Sequence, residues 1–150
     1  MNEPDHVLIS LEQRHAENIL SGTKQVELRR RAMRLKAGTI VWIYVKVPIG
    51  RVVGYVQAGD VHWLAPSTLW RRFANVSGLT RGEFFAYFNG VPKGFALGLQ
   101  QPKRLLSSMS LADLRHIDSE FQPPQFFMRL VPGSPLGQFI VDRQRNETAA

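Results

Sequence analysis

A chain of 150 residues, 44% hydrophobic and 21% charged, is long enough to bury a core and too apolar for a disordered polymer. We expect one domain over residues 1–150, with its core at about 7–131. Nineteen Lys and Arg against twelve Asp and Glu leave +7, which favours a polyanionic partner, nucleic acid first, because neutralised phosphates release counterions. The lack of cysteine excludes disulfides, thiolate metal sites and cysteine nucleophiles. No apolar run reaches membrane-span length and the start has no secretory pattern, so no membrane partner and a cytoplasmic location are expected.

Val7 to Ser10 is expected as a first strand. Ser10 with Gln13 has the spacing of a capping box, opening a helix to about Ser21 with Ala16, Ile19 and Leu20 on its apolar stripe. Gly22 suits a left-handed C-cap. Lys24 to Arg29 follows as a strand whose alternation sends Val26 and Leu28 to the core and puts Gln25, Glu27 and Arg29 on the other, polar face. That placement predicts a cost under about 1 kcal/mol for Glu27→Ala. Arg30, Arg31, Arg34 and Lys36 then form a basic loop before Gly38.

Ile40 to Val45 is a β-branched and aromatic strand, turned at Pro48-Ile49-Gly50 into a long strand, Arg51 to Leu64. Gly54 and Gly59 within it predict bulges. Two short helices follow, Pro66 to Phe73 and Thr80 to Phe88. The second opens on a Thr80/Glu83 capping box and closes at Gly90, with Phe84, Phe85, Tyr87 and Phe88 as core aromatics. Phe95 to Leu99 is expected as strand, Leu111 to Arg115 as a helical turn and Gln125 to Val131 as a last strand. The tail after Asp142 is expected to fray. The absence of regular strand–helix alternation argues against a Rossmann-type sheet and for a mixed, mostly antiparallel α+β barrel.

His6, His15, His62 and His116 are scattered without metal-ligand spacing, so no metal is expected. No nucleophile elbow or phosphate-cradling loop occurs, and no cofactor is indicated. What remains is Gly22-x-Lys24-x-x-Glu27-x-Arg29, an amine, a carboxylate and a guanidinium gathered where a strand begins. By spacing alone this is a ligand site or a surface salt-bridge ladder.

This run resembles the signature of the ASCH domain, a PUA-like β-barrel family associated with RNA. The likeness extends through Leu8-Ile9-Ser10 and the helix ending Ile-Leu-Ser-Gly. It continues over Tyr44 to Gly54, Phe84 to Gly94 and Pro123-Pro124-Gln125-Phe126. It implies a PUA-like, mostly antiparallel barrel with flanking and inserted short helices and a cleft beside the first helix. Lys24, Glu27 and Arg29 fall on the signature positions, Tyr44 and Arg51 on the second segment. Lys46 stands where a small hydroxyl residue is expected, and Phe126 where many members carry Ser.

Family members are proposed to bind RNA, and some cleave it or hydrolyse modified nucleosides. RNA binding is the expected function, with metal-independent cleavage of single-stranded RNA as the leading activity. There Lys24, Glu27 and Tyr44 are the candidates for proton transfer, and Arg29, Arg30, Arg31, Arg34, Lys46 and Arg51 for holding RNA. The alternatives are an N4-acetylcytidine-type amidohydrolase and a non-catalytic nucleotide- or RNA-binding module. Glu27 replaces the threonine of the small deacetylating members, and residues 73–78 supply no counterpart of their downstream acid.

Overall fold

β-branched runs become strands and capped stretches become helices in the computed structural model, which describes residues 3–149. In chain order the elements are β1 (His6–Leu11), α1 (Gln13–Leu20), β2 (Val26–Arg29), β3 (Ile40–Val45) and β4 (Arg51–Leu64). There follow α2 (Pro66–Phe73), a 3-10 turn (Ala74–Val76), α3 (Arg81–Tyr87), β5 (Gly94–Ser110), α4 (Leu111–Ile117), β6 (Phe127–Arg129) and α5 (Pro135–Ala149). The strands form one curled half-barrel sheet in the order β2-β5-β4-β3-β1-β6. β1 and β3 pair in parallel, and every other pairing is antiparallel. The mixed, mostly antiparallel architecture expected from the sequence is therefore present.

Alternation along the strands sorts the core into three clusters. Val7, Ile9, Val41, Ile43 and Val45 pack with Ala16 and Ile19 of α1. Their neighbours Leu8, Trp42 and Tyr44 face the opposite side, against Leu114 of α4 and Leu136 and Ile140 of α5. Val26 and Leu28 go to a third cluster with Leu69 of α2 and Phe84 and Phe88 of α3. The β4 register shifts near Gly54 and between Ala58 and Val61, so both glycines sit at bulges as expected.

Local reasoning failed where tertiary pairing won. Ser10 does not cap α1: β1 runs on to Leu11, locked to β3, and the N-cap is Glu12, without a side-chain cap. The Thr80/Glu83 box does form, and so does a second at Ser110/Asp113 that opens α4. The strand over 24–29 begins at Val26, and the fifth strand extends far beyond Leu99. The tail does not fray over the described residues. α5 is preceded by Ser134, whose Oγ accepts from the Gly137 N–H, and buries Leu136 and Ile140 one turn apart. Tyr87 is not a core aromatic but 39% exposed.

Candidate functional site

The register of β2 against β5 decides where the charged triplet lies. Glu27 sits opposite Leu97 and Arg29 opposite Phe95, and cross-strand partners share a face. Leu97 and Phe95 belong to the cluster beneath α1, so the face expected to be open to solvent is the inside of the half-barrel. Glu27 is consequently only 5% exposed and Lys24 only 3%. The expectation of a polar outer face for Glu27 is corrected by this parity.

These residues line a cleft of roughly 350 Å³ between α1, β2 and α3. Glu27 Oε2 accepts from Arg29 Nη2 at 3.0 Å, and Oε1 accepts from the Leu28 N–H at 3.2 Å. Arg29 also donates through Nη1 to the Phe126 carbonyl at 3.4 Å, tying β2 to the approach to β6. Lys24 extends its stem along Gly78, whose φ of +72° and missing Cβ leave room for it, and donates through Nζ to the Ser77 carbonyl. Burial pushes the Lys24 ammonium below its ordinary range, while Glu27 opposes the shift. The result is a lysine readier to give up its proton, beside a carboxylate already held by an arginine.

Around this floor stand Lys46, from the turn after β3, and Glu83 and Tyr87 of α3. Glu83 pairs with Arg14 of α1 at 2.9 Å across the rim, and the Tyr87 hydroxyl donates to the Leu28 carbonyl at 3.3 Å. His15 also lines the cleft, and neither it nor Tyr87 was singled out for the site from sequence. His15 lies in a helix pattern with no metal-ligand spacing, and only the packing of α1 over β2 brings it to the cleft wall.

Other expected site residues fall elsewhere. Tyr44 is 1% exposed in the cluster beneath α4 and α5, and its hydroxyl has no partner among the described residues. Tyr44 is not among the residues that line this cleft, although its register partner Ser10 is. Arg51 also lies outside it, donating to Ser108 Oγ at 2.9 Å. Arg30 is exposed but occupied, donating to the carbonyls of Tyr87 at 2.7 Å and Asn89 at 2.8 Å, which fastens the end of α3. Arg31 stacks over the Phe126 ring at 4.4 Å, and the Arg34 carbonyl accepts from Arg129. The side chains of Arg34 and Lys36 are exposed. Among the described residues, no group of three or more His, Cys, Asp or Glu is gathered as metal ligands.

The ASCH domain family model matches residues 9–109. A curated relative, the ASCH domain-containing ribonuclease of Zymomonas mobilis subsp. mobilis, is 37% identical over 125 residues, covering 79% of each chain. The crystal structure of ASCH from Zymomonas mobilis superposes with a TM-score of 0.84 at 29% identity, over 91% of this chain and 94% of that one. The N-terminal domain of Staphylothermus marinus McrB superposes at 0.57 with 9% identity, over 97% and 98% of the two chains, a likeness of fold alone.

Proposed function

The chain belongs to the ASCH domain family, and from that premise we propose that it binds single-stranded RNA and cleaves it without metal. The observation that carries this reading is the buried Lys24, set with the Glu27–Arg29 pair on the floor of an open cleft. A buried lysine costs stability unless its charge is paired, and one with a lowered proton affinity is suited to proton transfer. The relative named a ribonuclease, at 37% identity, supports the same substrate class. In this reading the RNA 2′-hydroxyl attacks its own phosphorus, while Lys24 and Arg29 face the developing negative charge. Arg31, Arg34, Lys36 and Lys46 hold the backbone by charge. The amidohydrolase alternative has less support, since Glu27 stands where the small deacetylating members carry threonine and residues 73–78 supply no acid.

The test is incubation of the purified protein with end-labelled single-stranded RNA in EDTA. Expected are products ending in 2′,3′-cyclic phosphate, resistance of DNA and 2′-O-methyl RNA, and a fall of roughly 10²-fold or more for Lys24→Ala. Intact RNA after long incubation, with binding retained, would leave a binding domain only.

A further inference from the structure

Transphosphorylation of RNA needs a group that takes the 2′-hydroxyl proton near neutral pH. Tyr44 is buried and not among the residues that line the cleft, and the Glu27 carboxylate is held by the Arg29 guanidinium and the Leu28 N–H. His15 satisfies the geometry that they do not. It stands on α1 in the cleft wall, facing the same space as Lys24 and Glu27. Its Nδ1 is buried with no hydrogen-bond partner among the described residues. Among the described residues no ion pair or hydrogen bond uses this imidazole, although it lies half-buried in the wall of a polar cleft.

We propose that His15 is the general base of the cleavage reaction, a role that rests on the ribonuclease reading above. Nε2 takes the proton from the ribose 2′-hydroxyl, the 2′-oxygen forms a bond to the adjacent phosphorus, and the bond from phosphorus to the 5′-oxygen breaks. The departing 5′-oxygen takes a proton from the Lys24 ammonium. The products are a 2′,3′-cyclic phosphate and a 5′-hydroxyl, and solvent returns one proton to Lys24 and removes one from His15.

The charges around the ring fit a base. Burial and the ammonium and guanidinium of Lys24 and Arg14 disfavour its protonation, and Glu27 and Glu12 oppose them. Across the cleft it also meets Arg29 of β2, Lys46 from the turn after β3, and Glu83 and Tyr87 of α3. The ring is therefore neutral, and able to accept a proton, at physiological pH.

The experiment measures kcat and kcat/KM against pH for the full chain and for His15→Gln, on RNA in EDTA. A 2′-deoxy oligonucleotide of the same sequence serves as an uncleavable binding probe. Expected are a loss of kcat of roughly 10²-fold or more and a change under about 2-fold in affinity for the probe. The wild-type acid limb, centred below the ordinary histidine value, should vanish in the variant. His15→Gln that cleaves at the wild-type rate with the same acid limb overturns the assignment but leaves the nuclease reading intact. A wild type that binds RNA and never cleaves it overturns both. If the variant does not fold, carbethoxylation of the wild type decides, mapped to the His15 peptide by mass spectrometry. Inactivation that tracks His15 modification and is slowed by the probe supports the base, whereas full activity after modification of His15 overturns it.

Discussion

Glu27 shows how one residue's parity changes its energetics. On an outer face it would be a solvated carboxylate, but inside the half-barrel it is one half of a nearly buried ion pair. Removing it strands the Arg29 guanidinium, and uncompensated buried charge is costly. Glu27→Ala is therefore expected to cost about 3 kcal/mol, within reach of the roughly 2–5 kcal/mol for Leu28→Ala. Urea denaturation of the two variants compares them, and a cost under about 1 kcal/mol for Glu27→Ala would restore the outer-face reading. His15 carries a second consequence. Burial holds it below its ordinary 6.5, so in the window between the two values the unfolded chain binds a proton that the folded chain does not. Its contribution is complete above 6.5 and is lost as pH falls through that window. His6, lowered mainly by burial as well, adds in the same sense. Thermal midpoints should thus drop between about pH 7 and 5, with His15→Gln flattening the decline.

At the scale of elements, caps and glycines were legible and helix burial was not. Thr80 with Glu83, and Gly22 and Gly90 with φ of +88° and +86°, behave as their local chemistry demands, since a cap needs only neighbours three residues away. Ser10 carries the same local pattern, but β1 pairing with β3 extends past it. That competition involves residues more than 30 positions distant and leaves no local mark. The gathering of Lys24, Glu27 and Arg29 was legible, whereas the place of His15 in the cleft wall needed the packing of α1, and the burial of Tyr44 needed the sheet. The start of α5 does carry a local signal. Ser134 before Pro135, with Leu136 and Ile140 four apart, is a capped amphipathic start. Ser134→Ala should therefore cost roughly 1 kcal/mol through loss of its Oγ bond to the Gly137 N–H, read by chemical denaturation. No change would mean that α5 is held by its apolar contacts alone.

Over the whole molecule, +7 charges matter through where they stand. Arg30 is occupied in holding α3, whereas Arg34 and Lys36 are exposed near Arg31, and Lys46 stands at the cleft rim. Four phosphates neutralised on single-stranded RNA imply a log–log salt slope of about −3, and Arg34→Ala with Lys36→Ala should flatten it by about 1.4. Filter binding across a salt series checks this, and an unchanged slope would make the loop a bystander. Among the described residues, no helix is long and apolar enough to cross a membrane.

The edge position of β2 has a consequence in time. Its ladder is with β5 alone, Val26 against Gly98, so the strand that bears the signature has its partner roughly 70 residues downstream. During synthesis at about 5–20 residues per second, β2 leaves the ribosome several seconds before any backbone exists to receive it. β5, on the far side of the inserted helices, must be made before β2 can pair, and long loops are entropically slow to close. Lys24 and Glu27 reach their buried positions only after that. The chain thus builds its scaffold before its cleft, and a nascent or partly folded copy exposes its basic residues without the enclosed floor that would make them act together.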